Sequence, residues 1–497
     1  MIDGSLDTET VVVGAGVAGI GAGIALRKAG FHDFLILERA DDVGGTWRDH
    51  TYPGLTVDAP SLIYSFSYAQ KPDWSGMWAT QSEVLGYLRR LTDRYALRPH
   101  LRCGTAVESA EFDAARSAWR IRCADGSELV ARYLINGSGY LNVPKTPEID
   151  GLEAFAGTVL HTMDWRSDLD LSTSRVAMIG TGATAIQLGP HIARNAAHLA
   201  VFQRTPIWLL PKVPLTFPAP LQRVFARVPG AQWLARMATS AFMDLVLFRV
   251  FTNYPQVAWL ARRVEALGRR HIRRQVHDRA TQEALTPNYS WGCKRPSVSN
   301  EFYPMFNRDD VALVTEPIVR ATRDALVTRD GAEHRVDVIV CATGYQPFEK
   351  AHLPTYAVRG ADGTDLREFW DEHRYQAFHG FAVPGFPNLF LILAPYSIAQ
   401  ASYFAMVETA MRNIVACMRG ASSRGATRVE VTPAANRADL ERVLDLKRTS
   451  IWRTGNCGPS NTYYFDRFGD TPSFRPSYNH REWWQSRTLS MKHFRFG

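Results

Sequence analysis

Two copies of one short pattern constrain the fold of this chain more than any other feature. The first copy runs from strand through glycine turn and helix to a second strand and an acid: Thr10–Val13, Gly14-Ala-Gly16-Val-Ala-Gly19, a helix that ends at Gly30, Phe34–Leu37 and Glu38. Gly14 and Gly16 allow a tight turn that approaches a pyrophosphate, and Gly19 lets helix and strand pack closely. The helix N-terminus then faces the phosphates. This order predicts a dinucleotide-binding unit.

The second copy differs from the first at its last residue. It consists of Val176–Ile179, Gly180-Thr-Gly182-Ala-Thr-Ala185, a helical pattern, Leu199–Gln203 and Arg204. Arg204 and Glu38 each stand 24 positions after the first glycine of their unit. An acid here can accept hydrogen bonds from ribose hydroxyls, whereas an arginine suits a ribose 2′-phosphate. We therefore expect FAD in the first unit and NADPH in the second.

Both units close in the same way, but the second is longer. Tyr133–Asn136 runs into a turn that ends at Gly139, and Asp337–Cys341 runs into one that ends at Gly344. The interval from the first glycine to the closing glycine is 125 residues in the first unit and 164 in the second. The difference predicts an insertion around residues 211–288, helical by its composition. We expect it to form a lid or packing helices rather than a contact with a membrane surface.

These features predict an α/β protein with two Rossmann-like dinucleotide-binding domains and a helical insertion. We expect residues 1–145 to form the first part of the FAD domain, 146–375 the NADPH domain, and 376–497 the second part of the FAD domain with a loop that covers the cofactors. The stretch Tyr375–Val407 carries no Asp, Glu, Lys or Arg, but glycines and prolines interrupt it. It predicts a loop, a buried strand at Leu389–Leu393, a loop and a helix rather than a membrane span.

Charge and cysteine usage exclude several other classes of protein. The formal charge is +8, yet there is no run of five consecutive basic residues, which argues against nucleic-acid binding. The six cysteines lie far apart without a CxxC motif: Cys103, Cys123, Cys293, Cys341, Cys417 and Cys457. This spacing argues against a disulfide framework, a metal site and a dithiol redox pair. The acidic N-terminus shows no signal peptide, so we expect a cytoplasmic protein.

Three longer motifs carry a resemblance to a known family. They are Phe155-x-Gly157-xxx-His161-xxx-Trp165, Gly44-Gly45-Thr-Trp47-xxxx-Tyr52-Pro53-Gly54-xxx-Asp58 and Gly292-Cys-Lys294-Arg295. In these motifs the chain resembles the class B flavoprotein monooxygenases, and within them the Baeyer–Villiger monooxygenases, over nearly its whole length. One position departs from the family pattern, because Arg166 follows the fingerprint tryptophan where the family usually has Pro or Asp.

The resemblance implies roles for individual residues. Arg295 and Asp58 are the expected catalytic pair, and Phe155, Gly157, His161 and Trp165 the expected hinge between the domains. The expected FAD contacts are Gly14, Gly16, Gly19, Glu38, Gly45, Thr46, Trp47, Asp58 and Tyr64. The expected NADP contacts are Gly180, Thr181, Gly182, Ala183, Thr184, Gln187, Arg204, Thr205, Lys294 and Trp452.

The resemblance also implies a reaction. NADPH reduces FAD, O2 forms a C4a-peroxyflavin, and one oxygen atom enters a ketone to give an ester or lactone, with sulfide oxidation as a side activity. Two alternatives stay open: a flavin monooxygenase that oxidises amine nitrogen or sulfide sulfur, and a non-catalytic flavoprotein that senses NADPH. A pyridine-nucleotide disulfide reductase is disfavoured, because the first helix lacks the cysteine pair of that class.

Overall fold

A computed structural model describes residues 6–345, 353–399 and 402–497. The strands are β1 Thr8–Val13, β2 Phe34–Leu37, β3 Leu101–Arg102, β4 Val107–Asp113, β5 Ala118–Cys123, β6 Glu128–Asn136, β7 Thr158–His161, β8 Arg175–Ile179, β9 His198–Phe202, β10 Leu209–Leu210, β11 Ser297–Val298, β12 Val311–Val314, β13 Ile318–Ala321, β14 Ala325–Thr328, β15 Glu333–Arg335, β16 Val338–Cys341, β17 Ala357–Arg359, β18 Leu389–Leu391, β19 Val429–Val431 and β20 Phe494–Phe496. The α-helices are α1 Val17–Ala29, α2 Thr46–Asp49, α3 Gln81–Arg94, α4 Ala183–Asn195, α5 Ala219–Arg227, α6 Ala231–Met243, α7 Arg249–Thr252, α8 Tyr254–Gln275, α9 Arg279–Ala284, α10 Leu366–His373, α11 Tyr403–Ser422, α12 Pro433–Leu446, α13 Ile451–Thr454 and α14 Asn479–Arg487.

Two parallel sheets with the same strand order organise these elements. One contains β3-β2-β1-β6, with β18 beside β6, and the other contains β12-β9-β8-β16-β7. In each sheet the strand before the glycine turn lies between the strand after the helix and the closing strand. Additional strands are the antiparallel β4 and β5 on the first sheet and a separate β13-β14-β15 sheet after the second. The predicted fold class, two Rossmann-like units, is confirmed.

The first unit shows how the sequence builds these sheets. Successive residues of a strand point to opposite faces, so Val12 packs in one core, with α1 and α11, while Val11 and Val13 pack in another. Helix α1 ends at Gly30, whose φ of 90° gives the left-handed conformation that closes a helix. Both faces of the sheet are thus buried, as parallel sheets require.

The predicted insertion is helical, as expected. It contains α5 to α9 and a π-helical segment at Asp244–Phe248 between α6 and α7. The uncharged stretch also forms a strand and a helix, although β18 ends at Leu391, two residues earlier than predicted, because Leu393 has a φ of 64° and leaves the extended conformation. Residues 400 and 401 of this stretch lie outside the described residues. Within the described ranges, no helix has the length and apolar character needed to span a bilayer.

The return of the chain to the first sheet comes earlier than residue 375. Strand β17 pairs with β4, and α10 packs next to β17. The first sheet therefore contains strands from residues 8–136 and again from 357–391. Residues 346–352 are not among the described ones. The exact division into domains stays a proposal.

The expectation against disulfides was wrong in one case. Cys293 and Cys457 are bonded, with their Cα atoms 5.2 Å apart, although 164 residues separate them in the sequence. Spacing along the chain could not indicate this pair, because the C-terminal segment returns to the loop that carries the Lys-Arg motif. Cys103, Cys123, Cys341 and Cys417 are free.

Candidate active site

The first glycine turn is as tight as its sequence predicts. Gly14 has a φ of 96°, and a Cβ on Gly19 would lie 1.7 Å from the carbonyl oxygen of Gly14. Gly45 of the second motif packs against the same turn, since its Cβ would lie 3.0 Å from the Cα of Gly16. Among the described residues, no side chain caps the N-terminus of α1. The first backbone N–H groups of α1 are therefore available to pyrophosphate oxygens, which fits a dinucleotide.

Glu38 lies where the first unit expects its acid, at the end of β2 and beside the glycine turn. Its carboxylate is buried and accepts hydrogen bonds from the backbone N–H groups of Ala15, at 2.7 Å, and Ala40, at 3.0 Å. Arg48 is 3.5 Å from the same carboxylate. These contacts fix the orientation of Glu38, and each carboxylate oxygen retains a lone pair that can accept a ribose hydroxyl.

The second motif forms the wall next to this turn. Thr46 begins the short helix α2, and Trp47 is buried with its ring edge-on to that of Tyr64, at 5.6 Å between centroids. The same motif contacts the second unit, because a Cβ on Gly54 would lie 2.6 Å from Nε2 of His191 on α4. The loop that we expect to contact the flavin therefore also connects the two units.

The second glycine turn repeats the geometry of the first. Gly180 has a φ of 111°, and its Cβ would lie 2.5 Å from the carbonyl oxygen of Ala342. By contrast, a Cβ on Gly182 would meet no atom within 4 Å in the described part of the chain. Ala183 begins α4, with the half-buried Thr184 beside it, and Thr181 donates a hydrogen bond to the carbonyl of Thr205 at 3.1 Å. The free space beside Gly182 allows a pyrophosphate to come close to the backbone.

Gln187 has a contact that the sequence did not predict. Its Nε2 donates to the carbonyl oxygen of Thr56 at 3.0 Å, and its Oε1 accepts from Tyr52 and from the backbone of Thr56 at 3.4 Å. The side chain therefore bridges α4 and the second motif. Thr56, Asp58, Ala183, Gln187, Lys212 and Ser297 line one small cavity at this junction.

Arg204 and Lys294 form a positive site at the end of β9. Arg204 is exposed and Lys294 half-buried, and Thr205 between them is buried. Burial and, second, the charge of Arg204 lower the pKa of Lys294 to about 8. No carboxylate of the described residues forms an ion pair with either side chain. Two cations that face each other without an acid fit an anionic ligand such as a 2′-phosphate.

Asp58 and Arg295 meet between the two units although 237 residues separate them. Arg295 donates from Nε to Oδ2 of Asp58 at 2.6 Å and from Nη2 to Oδ1 at 2.7 Å. The negative charge of Asp58 holds the pKa of Arg295 well above its ordinary value. Side-chain exposure is 47% for Arg295 and 25% for Asp58, so the guanidinium keeps a free edge toward the cleft.

Three tyrosines that sequence reasoning did not single out for the site face this pair. Tyr140, Tyr463 and Tyr464 all lie close enough for their pKa values to depend on Arg295 and Asp58. Burial raises the pKa of Tyr140 and Tyr464, so their hydroxyl groups stay protonated and can donate hydrogen bonds, whereas Tyr463 is 45% exposed. Tyr140 follows the closing turn of the first unit directly, which was a usable signal. Tyr463 and Tyr464 come from a distant segment with no recognisable spacing.

The fingerprint motif lies at the junction of the two sheets. Phe155 is buried, Gly157 contacts the carbonyl oxygen of Asp337, and Trp165 packs on the core of the second sheet. His161 ends β7, and its ring lies edge-on to Tyr345 at 5.7 Å between centroids. Tyr345 in turn is hydrogen-bonded to His50, which directly follows α2. This contact chain joins the sheets where a hinge would have to act.

The C-terminal segment closes over the second unit. Trp452 is buried and stacks on Phe474 at 4.5 Å, within an aromatic cluster rather than beside the second glycine turn. Its contact with NADP stays a prediction. The Cys293–Cys457 bond fastens this segment to the loop of Lys294, and Asn461 donates to the hydroxyl of Thr205 at 3.0 Å.

Comparisons with known proteins agree with this geometry. A family model described as pyridine nucleotide-disulphide oxidoreductase matches residues 11–213, which contain both glycine turns. A Baeyer-Villiger monooxygenase of Streptomyces coelicolor is 35% identical over 94% of this chain and 88% of the relative. A second, of Pseudomonas aeruginosa, is 36% identical over 90% of this chain and 84% of the relative.

Solved structures extend the similarity to the whole fold. The closed crystal structure of cyclohexanone monooxygenase matches with a TM-score of 0.87 and 25% identity, covering 99% of both chains. The crystal structure of OTEMO in complex with FAD and NADP matches with a TM-score of 0.86 and 25% identity, covering 99% of this chain and 100% of the other. Both glycine units and the cleft between them thus have counterparts in proteins of known structure.

Proposed function

Because the chain belongs to the family of the Baeyer–Villiger monooxygenases, we propose that it inserts one oxygen atom from O2 into a ketone to give an ester or a lactone. It is an FAD- and NADPH-dependent monooxygenase. The ketone as substrate and the roles of the individual residues are the proposal. The observation that carries it is the bidentate pair of Asp58 and Arg295 in the cleft between the two units.

The position of this pair suits the charge that the reaction develops. FAD, when bound, accepts hydride from NADPH and activates O2. Oxygen insertion into a ketone places negative charge on oxygen, first on the attacking atom and then on the carbonyl oxygen. Arg295 is cationic at any working pH, and the free edge of its guanidinium can donate hydrogen bonds to such an oxygen. Asp58 fixes the plane of that guanidinium by holding Nε and Nη2.

The remaining site residues bind the two cofactors and enclose the cleft between them. The N-termini of α1 and α4 hold the two pyrophosphates, Glu38 the ribose of FAD, and Arg204, Thr205 and Lys294 the 2′-phosphate of NADPH. The three tyrosines narrow the cleft around Arg295 and exclude water from it. His161 and Tyr345 lie where the two sheets would move against each other as the cofactors exchange.

Oxidation of amine nitrogen or sulfide sulfur is the second candidate. An amine nitrogen or a sulfide sulfur is a nucleophile and needs an electrophilic oxygen donor. No carbonyl oxygen becomes negatively charged in that reaction, so a fixed cation that stabilises an oxyanion is not required. The Asp58–Arg295 pair therefore favours ketones, with sulfides as side substrates. A protein that only senses NADPH would not need the pair at all.

Product analysis separates these candidates. The holoenzyme is supplied with NADPH and O2 and a mixed panel of cyclic ketones, linear ketones, sulfides and tertiary amines, and the products are identified by mass spectrometry. We expect esters and lactones as the main products. Sulfoxides or N-oxides without any ester would refute the ketone assignment, and NADPH consumption without any oxygenated product would refute oxygen transfer.

Two further proposals concern organisation and location. We divide the chain into an FAD domain built from both chain ends and an NADPH domain between them, with the insertion at residues 211–288. We place the enzyme in the cytoplasm, where NADPH is regenerated. Disulfides are rare in that compartment, so the Cys293–Cys457 bond opposes this location. A bonded pair in cell extracts alkylated at lysis would refute the cytoplasmic location, and two reduced cysteines would support it.

A further inference from the structure

Helix α6, Ala231–Met243, turns its apolar face toward solvent. Its inward side is polar: Gln232 donates to the carbonyl of Lys71 at 2.6 Å, and Arg236 donates to the carbonyl of Ser65 at 2.9 Å. Its outward side, continued into the π-helical segment, carries Trp233, Leu234, Met237, Phe242 and Leu245, which we call the outer face of α6. Leu234 is 64% exposed and Phe242 62% exposed. A helix of a water-exposed surface normally has the opposite orientation.

This outer face is part of a wider concentration of exposed apolar side chains. Eleven of the sixteen large apolar side chains that are exposed in the described chain lie in residues 211–288. A further pair, Trp483 and Trp484, is exposed on α14. The two regions approach each other at one point, because His480 near the start of α14 is 3.9 Å from Asp244 at the start of the π-helical segment. Such a concentration of exposed apolar side chains marks an interaction site.

Positive charge accompanies the same segment. Residues 211–288 hold 12 Lys and Arg against 4 Asp and Glu, which accounts for the whole formal charge of +8 and leaves the rest of the chain neutral. Several of these arginines are exposed beside the apolar side chains, and Arg227, Val228 and Trp233 line one surface cleft. Three of the four acids lie beside a basic side chain: Glu265 pairs with Arg269, Glu283 pairs with Arg279, and Asp244 is 3.9 Å from His480.

We propose that the outer face of α6 docks on an anionic lipid bilayer. The aromatic and aliphatic side chains of this face can enter the interfacial plane of a bilayer, while the exposed Arg223 and Arg227 of the neighbouring α5 meet the headgroups. Tryptophan suits the headgroup level, and each nearby basic residue adds attraction to anionic lipid. The enzyme is thus a peripheral protein of a membrane surface, held by one face without a spanning helix.

A second copy of the chain fits this face less well. Two copies that meet through the same patch would bring two segments of charge +8 together, and like charges at an interface oppose association. An anionic bilayer satisfies both the apolar and the positive part of the surface. This proposal differs from the expectation that the insertion forms a lid or packing helices, and the experiment below decides between the two.

The test is cosedimentation of the FAD-loaded enzyme with vesicles. One set contains phosphatidylcholine alone and the other phosphatidylcholine mixed with phosphatidylglycerol. We expect binding to the mixed vesicles, weakened by salt. Leu234→Ser with Phe242→Ser should lower the partition coefficient at least about tenfold, since two large apolar side chains no longer enter the lipid. Arg223→Gln with Arg227→Gln should lower it by about thirtyfold on the mixed vesicles alone.

The matched control is Val319→Ser. Val319 is 44% exposed on β13, outside the insertion, and its substitution should leave vesicle binding unchanged. Because all these side chains are exposed, FAD content and NADPH oxidation in free solution should match the wild type and show that the variants are folded. Absence of the wild-type enzyme from the vesicle pellet would overturn the proposal. So would equal binding of both vesicle types, or a dimer in lipid-free solution that the Leu234/Phe242 variant dissociates.

Discussion

Replacement of Arg295 by alanine should abolish oxygenation without loss of FAD. Arg295 holds Asp58 through two short hydrogen bonds, at 2.6 Å and 2.7 Å, but its side chain is 47% exposed. Exposed ion pairs contribute only about 0–1 kcal/mol to stability, so the variant should fold and retain its flavin. Loss of a donor aimed at developing negative charge typically lowers the rate on the order of a hundred- to a thousandfold.

The assay measures ester formation by gas chromatography and flavin reduction by rapid-mixing absorbance, so that the two half-reactions are followed separately. Asp58→Ala should show a milder defect, since it acts through the orientation of Arg295. The double variant should be scarcely slower than Arg295→Ala alone, because residues that act as one unit are not additive.

A matched control is available on the surface. Arg308 pairs with Asp310 in the same bidentate manner, at 2.8 Å and 2.7 Å, with 46% of the arginine side chain exposed. Arg308→Ala should leave ester formation at the wild-type rate. If Arg295→Ala converts its ketone at nearly the wild-type rate, or if Arg308→Ala is equally impaired, the electrostatic role of the Asp58–Arg295 pair is refuted.

Three further predictions concern the NADPH site and the disulfide bond beside it. Arg204→Ala should raise the KM for NADPH about ten- to a hundredfold, because it removes a charged hydrogen bond worth about 1.5–3 kcal/mol. Use of NADH should stay nearly unchanged, and equal impairment with both cofactors would contradict the assignment of Arg204 to the 2′-phosphate. Lys294 has a lowered pKa of about 8 and is charged below it, so the affinity for NADPH should fall as pH rises through 8 in fluorescence titrations, and Lys294→Met should remove this dependence. Cys457→Ser should lower stability by about 2–5 kcal/mol in denaturant titrations under non-reducing conditions, whereas Cys103→Ser should not; equal stabilities would argue against the Cys293–Cys457 bond.

The parts of the molecule that depend on local sequence could be predicted well. The glycine turn and Gly30 determine where α1 begins and ends, and short continuous β-branched or apolar runs indicated β1 and β2. The repetition of the unit predicted a second Rossmann-like domain, and the structure shows the same strand order in both sheets. The resemblance to a family, not spacing, indicated Asp58 and Arg295, because 237 residues separate the two.

The features that were missed depend on how distant segments meet. The disulfide joins residues 164 positions apart, and Tyr463 and Tyr464 approach Arg295 from the C-terminal segment. Gln187 also bridges to the loop at Thr56, a contact between distant segments that the sequence did not indicate, while its contact with NADP stays a prediction. The composition of residues 211–288 predicted helices, yet composition does not say which face of α6 is turned inward. That depends on the polar carbonyl groups of residues 62–71, which Gln232 and Arg236 bind.

Transfer of an atom of O2 into the bond next to a ketone carbonyl can be followed by turnover of a cyclic ketone with NADPH under isotope-labelled O2 in unlabelled water, with mass spectrometry of the product. We expect a lactone that contains one labelled atom, located in the ring position, and an unlabelled carbonyl oxygen. A lactone without label, or a ketone that returns unchanged while labelled sulfoxide forms from an added sulfide, would contradict the proposed transfer.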